Sequence, residues 1–408
     1  MIMEKYILRN GIQLYYVKRQ GNISSFCIGF NAGALVENNN QLGIAHAVEH
    51  MVFKGTKTRN EDEINKLSDA IFGFNNAMTN YPYVIYYGTT LSSDFYKGFQ
   101  LYSDIIVNPS FPKTGFKEEI DVILEEFKEW KDDAYQECED ELFYNAFKKR
   151  RIKDLIIGDK KDIKNITLDD IKSFYNQHYA PENCVISVVS SLEFDEVLKI
   201  VDDNFGAWKN SYKVKGEEIY DKNVAGVFYK IRKDLNGAKI QYCFPIHNLN
   251  HEEVVALKMF NFKFGEGTSS ILFDEIRTKN GMAYDISSSI KNEKGIKLFV
   301  ITLGTSEDKV EKAMDLINKR ICSIKSIKGM FNENNIKDIM KSINLKKELA
   351  LEKSIELCKK ITTNKIMFNS TDDIFNEFIN DKFIDEKKII DTACKVLKNP
   401  SIQILKPE

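Results

Sequence analysis

The order of strand-like and helix-like segments runs twice along this chain, and that repeat restricts the fold more than any single residue does. Residues 6–18 and 23–35 alternate as strands do. Helical patterns follow at about 42–54 and 60–72, strands at 74–80 and 83–90, and helices at about 92–107 and 115–150. A helix at 167–177, a strand at 184–192 and a helix at 194–205 close the half. A polar stretch, 209–225, rich in Lys, Glu and Asp, reads as a linker. Then strands recur near 226–233 and 238–245, helices at 252–264 and 268–278, and strands at 282–291 and 296–304, with several helices before a last strand at 401–405. The pattern predicts an α+β fold of two similar domains, 1–208 and 226–408, each a mainly antiparallel sheet backed by helices. The 408 residues suffice for two cores of ordinary domain size.

Inside the first predicted helix stands His46-Ala47-Val48-Glu49-His50. Residues four apart share one helix face, about 5–6 Å between Cβ atoms. Two imidazoles so placed can point at one cation, and Glu49 can reach a water beside it. The order, H-x-x-E-H, reverses the commoner H-E-x-x-H but uses the same physics: two neutral nitrogens hold Zn²⁺ and an unbound carboxylate serves as base. Only five histidines occur in the chain, and two of them frame this pentapeptide. The surrounding Ile44, Ala45, Val48, Met51, Val52 and Phe53 give the helix an apolar surface, which leaves histidines there in need of a reason.

A catalytic zinc takes three protein ligands. A third candidate lies in the amphipathic segment 117–130, where Glu126 follows His50 by 76 positions. Glu119 precedes Glu126 by two helical turns on the same face and is placed to steer a ligand or tune a bound water. The segment also carries Glu118, Asp121, Glu125 and Glu129, and spacing alone does not choose Glu126 over Glu125.

Together these residues resemble the M16 metallopeptidases. The run from His46 to Thr56 is most similar to the short bacterial and mitochondrial-processing branch of that family. Leu8-Arg9-Asn10-Gly11-Ile12, the G-x-x-N-A-x-T segment Gly73 to Thr79, and Tyr179-Ala180-Pro181-Glu182-Asn183 extend the resemblance over the first half. In the second half, Gly267 to Arg277 followed by Gly281-Met282-Ala283-Tyr284 is similar to another family segment. The resemblance implies a zinc endopeptidase with one Zn²⁺ per subunit, held by His46, His50 and Glu126. It implies Glu49 as general base and Glu119 as a supporting acid. It places Asn76, Ala77 and Thr79 along a sheet edge where an unfolded peptide pairs as an extra strand. It assigns Arg277 and Tyr284 to the substrate main chain near the scissile bond, as hydrogen-bond donors. Without it, an Arg ending a helix and a Tyr starting a strand read as structural.

The short branch reaches four domains by dimerising. The expectation is a homodimer in which Arg277 and Tyr284 act in trans. One alternative is the catalytic subunit of a heterodimeric processing peptidase that matures a leader peptide; another is a non-catalytic assembly subunit. A net charge of −2 gives no global electrostatic case for nucleic acid or an anionic membrane. The basic run Lys148-Lys149-Arg150-Arg151-Ile152-Lys153 reads as a solvated helix end. Seven scattered cysteines without a C-x-x-C argue for a reducing compartment and against a Cys-based zinc site. The N-terminus has no signal-peptide pattern and no stretch reaches transmembrane length, so the expected location is cytoplasmic. His247 and His251 are also four apart, but Pro245, Asn248 and Asn250 around them read as a loop, with Asn250 capping the helix that follows.

Overall fold

The structure, a computed structural model, describes residues 2–38, 40–212, 219–327, 329–376 and 384–408. Residues 213–218 of the expected linker lie outside the described residues.

The chain forms two compact units, neither of them continuous. Unit 1 comprises Met1–Phe127, Leu155–Glu218 and Glu348–Phe375; unit 2 comprises Lys128–Asp154, Ile219–Lys347 and Asn376–Glu408. These are not the continuous halves 1–208 and 226–408. Each half of the sequence gives the other unit a helix, because an apolar helix face is buried wherever a matching sheet face is uncovered. The helix Ser354–Phe368 packs on the sheet of unit 1, where the Ser187 hydroxyl donates to Cys358 O at 2.8 Å. The helix Ala134–Ala146 packs on the sheet of unit 2.

Unit 1 is built on six strands: β1 (Met3–Ile7), β2 (Gln13–Lys18), β3 (Ile23–Phe30), β4 (Phe72–Thr79), β5 (Val84–Leu91) and β6 (Cys184–Ser190). Their order is β1-β2-β6-β3-β5-β4, antiparallel except for the β2–β6 pair. β6, sequence CVISVVS, is buried at every position, which suits its β-branched content and central place. β4 is an edge, and its register with β5 shifts between Phe72 and Phe74, at Gly73. Unit 2 has five: β7 (Gly226–Ile231), β8 (Ala238–Pro245), β9 (Asp285–Lys291), β10 (Leu298–Thr305) and β11 (Ser401–Lys406), in the order β7-β11-β8-β10-β9. Only the β7–β11 pair is parallel. The expected fold class of two antiparallel-rich sheets backed by helices is the one observed.

Four helices matter for the site: α1 (Ile44–Val52), α2 (Glu61–Ile71), α3 (Phe95–Val107) and α4 (Phe116–Asp132), the last belonging to unit 1 through Phe127. Ile44, Ala45, Ala47, Val48, Met51 and Val52 of α1 are buried in the unit 1 core. Gly43, at φ 86°, starts this helix, and a Cβ there would lie 2.4 Å from Ile157 O, so only glycine fits. No residue at the cap itself caps α1; the Glu37 carboxylate instead accepts from the amides of Gly43 (3.2 Å) and Ala45 (2.9 Å).

Three readings are corrected. The helix expected over 115–150 breaks at Asp133, whose carboxylate accepts from the Tyr135 and Gln136 amides and starts a new helix there. Strand 6–18 is a hairpin, turning at Gly11 with φ 96°. The basic run is not a solvated end throughout: Arg150 is fully buried in unit 2, donating to Ile296 O (2.7 Å), Asp221 O (2.9 Å) and His247 Nδ1 (2.9 Å). Asn250 does cap the helix His251–Phe264, paired reciprocally with Glu253. All seven cysteines are free, and five of them are buried. Among the described residues, no helix is long and apolar enough to cross a membrane.

Candidate metal centre

His46, Glu49 and His50 stand at the positions of α1 left out of the core, one stripe of a helix otherwise buried. α4 lies against them. Ile123 is buried toward the core, while Glu119 and Glu126, two helical turns apart, project beside it toward the histidines. Glu125 is exposed, so the packing of α4 makes the choice that spacing left open.

His46 Nε2 lies 3.3 Å from His50 Nε2 and 3.5 Å from Glu126 Oε2, and His50 Nε2 lies 3.4 Å from the same oxygen. A tetrahedral ion with bonds of about 2.0–2.1 Å has its ligands about 3.3–3.4 Å apart. The triangle therefore fits zinc, and it is the one His/Cys/Asp/Glu grouping of metal-holding size among the described residues.

The charges agree with the geometry. Burial, with His50 alongside, holds His46 below its usual range and therefore neutral, as a ligand must be. Burial also works against a charged His50, but hydrogen bonds to Glu119 and Glu126 and the negative charge of Glu126 and Glu49 outweigh it, lifting the imidazole to about 9. The field that favours a proton there favours a metal cation in its place. The hydrogen bond from His50 outweighs the opposing effect of burial and, with the charge of the two histidines, keeps Glu126 below the usual carboxylate range.

Glu119 Oε1 accepts a hydrogen bond from His50 Nδ1–H at 2.8 Å, which leaves the Nε2 lone pair facing the triangle. Lys54 Nζ holds the other Glu119 oxygen at 2.8 Å. Glu49 is half-buried, and the loss of solvent around its carboxylate lifts its pKa against the opposing pull of Thr79 and His50. The Thr79 hydroxyl and amide both donate to Glu49. Thr79, expected to meet substrate, thus has its side chain on the Glu49 carboxylate. Asn76 is exposed on β4, and its side-chain oxygen accepts from the Ala77 amide at 2.9 Å. Arg277 and Tyr284 belong to unit 2 and are not part of this cluster. Arg277 sits in a π-wound turn, Phe273–Lys279, with its guanidinium 4.8 Å from the Phe273 ring centroid; Tyr284 is exposed. The sequence reading missed Lys54, although its spacing of four from His50 was a visible signal. It also missed the Thr79–Glu49 bond, for which the sequence holds no signal.

An α+β chain of two sheet-and-helix units with an H-x-x-E-H helix closed by a distant glutamate defines a class, the inverzincin-type metal-site proteins. Within that class the chain belongs to peptidase family M16. Residues 14–160 match the family description "Insulinase (Peptidase family M16)", and residues 165–342 match "Peptidase M16 inactive domain". An uncharacterized zinc protease of Rickettsia bellii is 28% identical over 398 residues, 96% of this chain and 94% of that protein. One of Rickettsia felis is 30% identical over 280 residues, 68% of this chain and 67% of that protein. Among solved structures, a protease from Helicobacter pylori superposes with a TM-score of 0.88 at 21% identity, covering 100% of this chain and 99% of the other, a likeness of fold.

Proposed function

We propose that this chain is a zinc-dependent endopeptidase that hydrolyses unfolded peptides. The observation that carries the reading is the triangle of His46, His50 and Glu126, 3.3–3.5 Å on a side, with the half-buried Glu49 carboxylate on the helix of the two histidines. The names of the Rickettsia relatives support zinc as the metal. When bound, zinc supplies Lewis acidity: it polarises a carbonyl and acidifies a water near neutral pH. His46 and His50 contribute neutral nitrogens and Glu126 a charge that offsets the cation. Glu49 takes the proton as a water oxygen bonds to the scissile carbonyl carbon, and returns it to the amine nitrogen as the C–N bond breaks. A base lifted above the ordinary carboxylate range by burial is suited to both transfers. The edge strand β4 offers main-chain groups for pairing, which an extended peptide can meet and a folded one cannot.

The proposal includes a homodimer, with Arg277 and Tyr284 of one subunit serving the zinc centre of the other. Both residues belong to unit 2, and the histidine–glutamate cluster belongs to unit 1. Mixing Glu49→Gln with Tyr284→Phe protein is expected to restore activity if subunits exchange; inactive mixtures of exchanging subunits would refute it.

The primary test is metal analysis together with digestion of an unfolded peptide. Wild type is expected to carry zinc and cut; Glu49→Gln is expected to carry zinc and not cut. A wild type that takes up no metal and cuts no unfolded peptide overturns the reading.

A further inference from the structure

We propose that Lys54 is a positioning residue of the metal centre, clamping Glu119 so that His50 presents Nε2 to the cation. This rests on the reading of His46, His50 and Glu126 as ligands. Four residues form one line: Glu61 Oε1 to Lys54 Nζ at 2.7 Å, Lys54 Nζ to Glu119 Oε2 at 2.8 Å, and Glu119 Oε1 to His50 Nδ1 at 2.8 Å.

Lysine heads ordinarily stay in water. Here the side chain is only 15% exposed, and so is that of His50. The local chain explains how it gets there. α1 ends at Val52, and the Lys54 amide still bonds back to Met51 O at 3.3 Å, so the lysine continues the turn below His50. Gly55, at φ 149°, then takes the backbone away. Glu61 approaches from the first turn of α2, whose start is fixed by the reciprocal cap of Asn60 and Glu63. The lysine therefore ties two helix ends and α4 to one carboxylate.

Each Glu119 oxygen has a separate task. Oε1 accepts from His50, and Oε2 is taken by the ammonium. The last torsion of a glutamate is broad and soft, so a carboxylate held at one oxygen swings. Held at both, it keeps Oε1 on Nδ1 and the imidazole stays turned. The ammonium charge has the opposite tendency, because it repels a nearby cation. Two carboxylates within 2.8 Å compensate that charge, so the clamp decides the sign.

The test is the zinc dissociation constant of the full chain by competition with a chromophoric chelator, for wild type, Lys54→Met and Lys54→Arg, with the thermal midpoint of each metal-free protein measured separately. Lys54→Met is expected to bind zinc about tenfold more weakly, within the range of loss when an outer partner of a ligand is removed. Lys54→Arg, which can hold the same oxygens, is expected to recover most of that loss. A folded Lys54→Met that binds zinc as tightly as wild type, or more tightly, overturns the proposal while leaving the ligand assignment intact. A wild type that binds no zinc overturns both. If Lys54→Met does not fold, Glu61→Gln serves instead: it keeps the lysine, loosens its outer anchor, and is expected to weaken zinc binding by a smaller factor. Unchanged affinity in Glu61→Gln would then overturn the clamp.

Discussion

Glu119 Oε1 accepts a hydrogen bond from His50 Nδ1–H across 2.8 Å, so a residue outside the triangle determines that Nε2 is the nitrogen facing His46 and Glu126. Removing that acceptor with Glu119→Ala is expected to weaken zinc binding by about 10–100-fold without unfolding the protein. Glu126→Ala removes one corner of the proposed ligand triangle and is expected to cost more. Zinc titration of the two variants side by side checks the ranking.

Glu49 touches none of the triangle's roles, so Glu49→Gln is expected to leave zinc content at wild-type level. Turnover of an unfolded peptide should fall by at least about 10²–10⁴-fold, the usual size of a general-base contribution. Metal content and turnover measured on one preparation separate the two effects.

Thr79 donates to the Glu49 carboxylate through its hydroxyl and its amide, and both bonds favour the charged form. Thr79→Val loses the hydroxyl. The Glu49 pKa, already raised by burial, then rises further, so the base protonates at higher pH. The acid limb of the kcat/KM profile should move upward, with activity at alkaline pH less affected. A limb that stays put would show that Glu49 does not set it.

His178 supplies a stability test away from the site. Burial lowers its pKa from 6.5 to about 4 in the folded chain. Between those values the unfolded chain binds the proton and the folded chain does not, so stability falls as pH drops from 6.5 toward 4 and the effect saturates below. The shift corresponds to a ceiling of about 3 kcal/mol. Urea midpoints across this range should decline, and His178→Phe should flatten the decline.

Ile123 sits between Glu119 and Glu126 on the buried side of α4 and is 1% exposed. Ile123→Ala is expected to destabilise the chain by about 2–5 kcal/mol. If α4 shifts into the cavity, zinc affinity should drop as well. Denaturation with and without zinc measures both.

The local patterns were legible because they depend on neighbours in sequence. The H-x-x-E-H spacing put His46, Glu49 and His50 on one stripe of a helix whose other positions are apolar, and α1 has that stripe. Strand alternation and turn residues located β3 to β6 and β8 to within a few residues. Long apolar periodicity was less reliable where a single residue interrupts it: Asp133 breaks what reads as one helix, because its carboxylate satisfies the next helix's free amides.

By itself, the sequence determined that His46, Glu49 and His50 share one helix face, since helical geometry alone brings residues three and four apart together. It also determined that two antiparallel-rich units would form. Only the tertiary structure decided between Glu125 and Glu126, because that depends on which face of α4 meets α1. Only it turned His50 through Glu119 and Lys54, put the Thr79 hydroxyl on Glu49, and buried Arg150 out of a run of surface-like charges. It also exchanged a helix between the two halves of the sequence. These are contacts between segments far apart in the chain, and they are fixed by which surfaces remain to be buried once the helices and strands have formed.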